Sequence, residues 1–428
     1  MLSAEQHRIP ASSIDINALK VLNRLHEHGF RACLVGGGVR DLMLGREPKD
    51  FDVATDASPE QVRQLFRNAR LIGRRFRLAH VRYGRDIIEV ATFRAPHEEA
   101  ERDGQGQVDE NGRISRDNVY GTLEQDVWRR DFSINALYYD IADRSVIDYT
   151  GGVDDLASGV LRMIGDPELR YREDPVRMLR AIRFAAKLGF RIDPASESVI
   201  HDLNELMAEA SPARLFEEFL KLMHGGCAQE TFELLRHYQL FRHLFPATSL
   251  CLGESEGEFF GGFISNALGN TDQRIQAGQP VTPAFLIAVM LWGPVMQRRQ
   301  ALTDNEGLPP VAALHQAAQE IFSEQSHHVS IPRRFSSMAK EIWELQRRLH
   351  NTRGKRPQRL VEHPRFRAGY DFLCLRARSG EDELQPLCDW WTDFQASDPV
   401  AKKAAAAKHT GSYNRHKRPR RRKPAANG

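Results

Sequence analysis

Asp50 and Asp52 are the residues of this chain best suited to chemistry. They flank Phe51 and lead into Val53, Ala54 and Thr55. An extended backbone over 51–55 puts both carboxylates on one face, about 6–7 Å apart at Cα. Two such carboxylates repel unless a cation sits between them. Hard oxygen donors on a rigid strand suit Mg²⁺, which brings nucleotide phosphates with it. The plain alternative is a solvated turn in which Asp52 caps a neighbouring segment. Eight residues upstream of Asp50 the chain reads Leu34-Val35-Gly36-Gly37-Gly38-Val39-Arg40-Asp41. A glycine turn from strand to helix exposes backbone N–H groups at the positive end of the helix. With Gly37 in the turn and Arg40 one turn inside, such a site can hold a triphosphate. The same glycines would also serve a tight turn alone. They form neither a Walker motif, which needs Gly-Lys-Ser/Thr, nor a Gly-x-Gly-x-x-Gly fingerprint.

Three further groups could join them. Glu89 lies among Ile87, Ile88, Val90 and Ala91, and a carboxylate there is costly unless it is paired or faces water. Facing Asp50 and Asp52 across a sheet, it would complete a three-carboxylate cradle for two-metal phosphoryl transfer; on an edge strand it would be solvated. Arg129, Arg130, Asp131 and Asn135 fall within seven residues and could contact phosphate and ribose, or merely start a helix. Asp174, Arg177 and Arg180 recur at three-residue spacing on a helix read as starting with Asp174 at the N-cap and Pro175 at its first position. An acceptor beside a donor can read the edge of a purine; an i,i+3 surface ion pair is the ordinary alternative.

The elements that must position these residues are legible as patterns. Residues 14–33 have helical spacing ended by Gly29, Ala32–Val35 is a short strand, and a helix follows over Val39–Leu44. A strand over Asp50–Thr55 comes next, then a helix capped by Ser58 with Pro59 at N1. Leu71–Phe76, Leu78–Tyr83 and 87–94 read as strands, and 96–118 as a flexible loop. From Asp166 onward the pattern is almost entirely helical. The expected fold is therefore α+β: a small metal-binding sheet head over 14–150, a helical neck over 151–212, a helical body over 213–395 and a disordered basic tail over 396–428.

Composition narrows the partners. The chain has 428 residues, 41% hydrophobic and 27% charged. Its five scattered cysteines argue against a disulfide framework or zinc site and fit a cytoplasmic protein. The His327-His328 pair reads as a solvated helix end. The longest apolar stretch, Ala284–Met296, is too short to span a bilayer and reads as one buried helix. Ten Lys/Arg and no acid lie between Lys402 and Lys423, so the remaining chain carries fifty basic against 57 acidic residues, a net −7. A basic tail on an acidic body points to a polyanion such as nucleic acid.

Taken together, these segments resemble the class II nucleotidyltransferase superfamily, the bacterial poly(A) polymerases and CCA-adding tRNA nucleotidyltransferases. The resemblance rests on Leu34–Asp41, Asp50-Phe51-Asp52, Arg129–Asn135 and Glu173–Arg177 running into Arg180 and Arg183–Gly189, in order over about residues 30–190. It implies a metal-binding head, a nucleotide-selecting neck and RNA-holding helical regions. By resemblance Asp50 and Asp52 are metal ligands, and Gly37 and Arg40 contact the triphosphate. Arg130 and Asp131 meet the nucleotide, Asp131 counting among the catalytic acids. Asp174 and Arg177 bond the incoming base, with Arg180 nearby. Glu89 as a catalytic acid rests on strand order alone.

Leu71–Val81, the long 96–118 segment, Glu362–Tyr370, Trp390-Trp391 and the arginine-rich end resemble the poly(A) polymerase branch. A polymerase acting on many RNAs gains from sequence-blind charge contacts, whereas a CCA-adder recognises one folded shape. The expected activity is template-independent transfer of AMP from ATP to RNA 3′ ends with Mg²⁺, releasing pyrophosphate, in mRNA polyadenylation and RNA turnover. RNA-decay proteins are candidate partners. A CCA-adding enzyme using CTP and ATP on tRNA is the nearer rival, and an inactive RNA-binding module the more distant one.

Overall fold

The computed structural model describes residues 1–7, 9–73, 77–95, 107–108, 114–116, 119–253 and 257–397. Residues 74–76 of the Leu71–Val81 segment, most of 96–118 and the basic tail lie outside the described residues.

An apolar run with β-branched and cysteine side chains makes β1 (Ala32–Val35), buried along its whole length. It lies in a seven-stranded sheet with β2 (Asp52–Thr55), β3 (Ala69–Ile72), β4 (Leu78–Tyr83), β5 (Asp86–Thr92), β8 (Tyr138–Asp140) and β9 (Val146–Ile147), in the order β3-β4-β5-β2-β1-β8-β9. β2 and β5 run parallel, and the other neighbours antiparallel. Cys33, Val35, Ala54, Phe93 and Tyr138 close one core on this sheet. The helix Ile16–Glu27, capped by Asp15, buries Ala18, Val21, Leu22 and Leu25. Ser58 and Gln61 form a capping box at the start of Pro59–Leu65, with Pro59 at its first position as the sequence indicates.

Several boundaries differ from the sequence reading. β2 starts at Asp52, so Asp50 precedes the strand. The third strand runs Ala69–Ile72 rather than from Leu71, because Asn68 and Ala69 already bond across to the partner strand and the preceding helix. Within 96–118, β6 (Gln107–Val108) and β7 (Ile114–Arg116) pair antiparallel, where a loop was expected.

Beyond the sheet the described chain is helical, apart from a two-residue parallel ladder of β10 (Val160–Leu161) with β11 (Arg191–Ile192). The helix Val176–Leu188 is one residue later than expected, yet Asp174 Oδ1 still accepts from the Val176 N–H at 3.2 Å. By their packing the residues fall into two units: Met1–Ser249 with Thr271–Gln279 and Gln325–Ser330, and the remainder from Leu250 onward.

The second unit is all-helical among its described residues. Ala284–Met296 is split into Pro283–Met290 and Trp292–Glu306, since Pro294 has no N–H to offer the carbonyl of Met290. Trp343 and Trp391 are buried, and their indole N–H groups donate to the carbonyls of Ala288 at 3.0 Å and Leu349 at 2.9 Å. Cys374 and Cys388 form a disulfide, although the scattered cysteines argued against a disulfide framework. They stand fourteen positions apart, and the turn between Phe366–Arg378 and Gln385–Ala396 brings their Cα atoms to 5.2 Å. A cavity of about 1130 Å³ lined by Trp292, Arg299, Trp343, Arg347 and Arg376 contains none of the motif residues. Among the described residues no helix is long and apolar enough to cross a membrane.

Candidate active site

The register of the parallel pair β2–β5 sets Asp52 opposite Glu89, so the two side chains share a face on adjacent strands. Asp50 is exposed just before the strand, and Asp52 is half-buried. Burial and the neighbouring Glu89, with a smaller push from Asp50, raise the Asp52 carboxyl from its ordinary 3.8 to about 6; Arg130 opposes them. Three acids crowd one place. His80, opposite Glu89 on β4, puts Nε2 3.1 Å from Glu89 Oε1.

The glycine turn closes on the same place. Gly36 has φ +70°, which a side chain would strain, and a Cβ there would meet Arg130 Nη1 at 3.3 Å. A Cβ on Gly38 would lie 3.4 Å from the Asp50 carbonyl oxygen. Arg130 is held by donation from Nε to Tyr138 Oη at 2.7 Å and from Nη2 to Asp126 Oδ2 at 3.3 Å, while Nη1 reaches the Asn135 carbonyl at 3.3 Å. Arg40 is buried. Its Nε and Nη2 donate to Asp41 Oδ1 at 2.8 and 2.7 Å, and Nη1 donates to Asn135 Oδ1 at 2.7 Å. Its guanidinium braces the helix after the turn against the 129–137 segment. A Cβ on Gly37 would lie 3.5 Å from Arg40 Nη2.

Asp131 is buried with both oxygens engaged. Oδ1 accepts from the Phe132 N–H at 2.8 Å and Asn135 Nδ2 at 3.3 Å, and Oδ2 accepts from Arg180 Nε at 2.6 Å. Although burial opposes ionisation, the Arg180 guanidinium and these hydrogen bonds hold its carboxyl below the ordinary range. Asp131 therefore ties the 129–137 segment to the neck helix, and Glu89 is the acid set beside Asp52.

Asp174, Arg177 and Arg180 have separate partners. Asp174 Oδ2 accepts from Arg214 Nη2 at 2.5 Å, and Arg177 Nη1 donates to Glu173 Oε2 at 2.6 Å and to the Arg170 carbonyl at 2.7 Å. Arg170 Nη2 donates to the carbonyls of Arg129 and Arg130 at 2.8 and 2.6 Å, so the neck braces the 129–137 segment twice. Burial and Arg177 lower the Arg170 guanidinium, and burial and Arg180 lower that of Arg183. The arginines cluster here, with Glu173, Asp131 and Glu218 as their acidic partners. Sequence reasoning did not single out His80, Asp126, Tyr138, Arg170 or Arg214. The i,i+4 spacing of Asp126 and Arg130 was visible, whereas Arg214 stands forty residues from Asp174 with no local signal.

Known proteins resemble this chain over its whole length. The Poly A polymerase head domain profile matches residues 32–162, the Probable RNA and SrmB- binding site of polymerase A matches 189–251, and the Polymerase A arginine-rich C-terminus matches 306–425. Poly(A) polymerase I of Salmonella typhimurium is 48% identical over all of this chain and 93% of its own length. The chain belongs to the bacterial poly(A) polymerase family. The CCA-adding enzyme of Lactobacillus helveticus is 38% identical over 53% of the chain and 54% of that enzyme. Among solved structures, the Bacillus stearothermophilus CCA-adding enzyme in complex with CTP aligns with TM-score 0.56 and 25% identity, over 89% of this chain and 82% of that one. A nucleotidyltransferase head on a helical remainder, with poly(A) polymerase relatives along the full length, bears out the expected fold and branch.

Proposed function

We propose that this member of the family transfers AMP from ATP to RNA 3′-hydroxyls, releasing pyrophosphate, in the cytoplasm. The observation that carries the site assignment is the β2–β5 register, which sets Asp52 beside Glu89 with Asp50 at the strand entrance. The displaced Asp52 carboxyl is what a divalent ion would relieve, and an all-oxygen donor set fits Mg²⁺ rather than softer metals. Asp50 and Asp52 would hold the ion with Glu89 beside them. When bound, Mg²⁺ lowers the pKa of an attacking hydroxyl and neutralises charge on the leaving pyrophosphate.

The protein's own part is positioning and charge. The backbone of the glycine turn at Gly37 and the guanidinium of Arg130, against Gly36, receive the triphosphate. Arg40 keeps that turn in register through Asp41 and Asn135. Asp174 and Arg177 meet the base, Asp174 being oriented by Arg214 and Arg177 by Glu173. Arg180 acts through Asp131, and the clustered arginines of the neck hold an electropositive wall toward the nucleotide. The basic 402–423 segment follows any single strand of RNA.

Asp50→Ala tests the assignment. It should abolish AMP transfer while RNA binding, measured by filter retention, stays within about twofold. Activity above a few per cent would overturn the roles given to the acids. Binding lost together with activity would show instead a failure of folding, checked by the melting curve.

A further inference from the structure

Three side chains that the proposed reaction does not use converge on the far part of the neck. Glu197 and His201 are one turn apart on the helix Pro194–Leu203, and His237 ends the helix Ala228–His237. One ligand atom from each, a carboxylate oxygen and two imidazole nitrogens, lies within 4.8 Å of the other two. His201 and His237 are exposed and Glu197 is half-buried, so an ion could reach all three from solvent.

We infer that Glu197, His201 and His237 bind a divalent transition-metal ion of the Zn²⁺ class. The donor set is the first reason. Two imidazoles and one carboxylate suit Zn²⁺, Ni²⁺ or Cu²⁺, whereas Mg²⁺ prefers oxygen alone. The spacing is the second. Residues four apart on a helix share a face, and Glu197 and His201 use that placement to meet a third ligand from a neighbouring helix. Tetrahedral Zn²⁺ with bonds of about 2.0–2.2 Å needs neighbouring donors about 3.3 Å apart, a closure that rotation of two exposed imidazoles supplies.

The surroundings supply the third reason. Tyr238 is buried, its hydroxyl donates to Glu197 Oε1 at 2.7 Å, and that leaves Oε2 for an ion. The Tyr238 ring also contacts both imidazoles, with centroids 5.0 Å from His201 and 4.7 Å from His237. A ligand carboxylate oriented by a buried hydroxyl, with the ligand rings packed on the same residue, is the supporting arrangement a metal site needs. Tyr238 is thus a positioning residue. The bound ion would cross-link the two helices, away from the acids of the sheet in both residues and chemistry.

Zinc titration of the metal-stripped, full-length enzyme tests this, with millimolar Mg²⁺ present to occupy the oxygen-rich cradle. A competing chromophoric chelator reads affinity and stoichiometry. Wild type should bind one Zn²⁺ that His201→Gln and His237→Gln each weaken by more than about a hundredfold. Tyr238→Phe should weaken it by about 10–100-fold, as loss of an orienting partner does. Zn²⁺ should raise the melting temperature of wild type and leave that of the double His variant unchanged. Both histidines are exposed, so without metal these variants should melt with wild type; Glu197→Gln provides a third. Equal Zn²⁺ affinity in wild type and the double variant, or no binding in either, would overturn the inference.

Discussion

Replacing Asp52 by Asn should make the metal-free protein more stable while it destroys transfer. In the folded chain the Asp52 carboxyl is displaced from 3.8 to about 6 by burial, then by Glu89, then by Asp50. At 1.36 kcal/mol per tenfold change in proton affinity, the ionised side chain costs the fold up to about 3 kcal/mol. Solvent on its open side reduces that to about 2 kcal/mol. The sign follows from proton linkage. Because the folded pKa lies above the unfolded one, the folded protein holds more protons between pH 3.8 and 6. Stability therefore falls as pH rises through this window, and the full cost is present above it. Asn keeps the shape and cannot ionise. In EDTA at pH 7.5, Asp52→Asn should raise the melting temperature of the sheet-containing unit by about 4–8 °C for a domain of this size. The gain should fall by about half or more at about pH 4.5, inside that window, without vanishing, because the unfolded carboxyl is still largely ionised there; it should shrink further when Mg²⁺ and ATP stabilise wild type alone. Differential scanning calorimetry at two pH values reads all of this. A variant no more stable than wild type at pH 7.5, or a gain as large at pH 4.5 as at pH 7.5, would refute the crowding of charge at Asp52.

Two further outcomes are expected. Arg180→Met removes the partner of a buried carboxylate whose remaining donors are the Phe132 N–H and Asn135; urea unfolding should show about 3–5 kcal/mol of destabilisation, and adding Asp131→Asn should recover at least half. Deleting 402–428 removes ten cations. The log–log salt dependence of RNA binding should then flatten by about 0.7 for each phosphate that is no longer neutralised, read by fluorescence anisotropy from low to moderate salt.

Much of the head was legible because short-range chemistry specifies it. Ala32–Val35 is a strand because four apolar residues enter a glycine turn, and Pro59–Leu65 a helix because Ser58, Pro59 and Gln61 form a start signal. Asp52 and Glu89 could be paired only as a possibility, since strand order was not written in either segment; the parallel register sets them side by side on interior strands, with Glu89 still exposed to solvent. Asp131 counts among the catalytic acids by the family resemblance alone. In the fold Arg180, forty-nine residues away, takes its carboxylate. Arg177 and Arg180 share a helix face as their spacing requires, while Asp174 lies in extended backbone just before that helix; each meets a different partner, because Arg214, Glu173 and Asp131 lie on other elements. The Cys374–Cys388 pair escaped notice for a related reason: the turn between two helices, not any Cys spacing motif, brings the thiols together. Local periodicity reports burial and caps. Long-range charge pairing does not appear in it.

The measurement closest to the central claim is primer extension with Mg²⁺, offering ATP or CTP separately to an unstructured RNA and to a tRNA lacking its terminal CCA. Long adenylate tracts on the unstructured RNA with little use of CTP are expected. Addition confined to the tRNA, ending after three nucleotides and consuming CTP, would contradict the account.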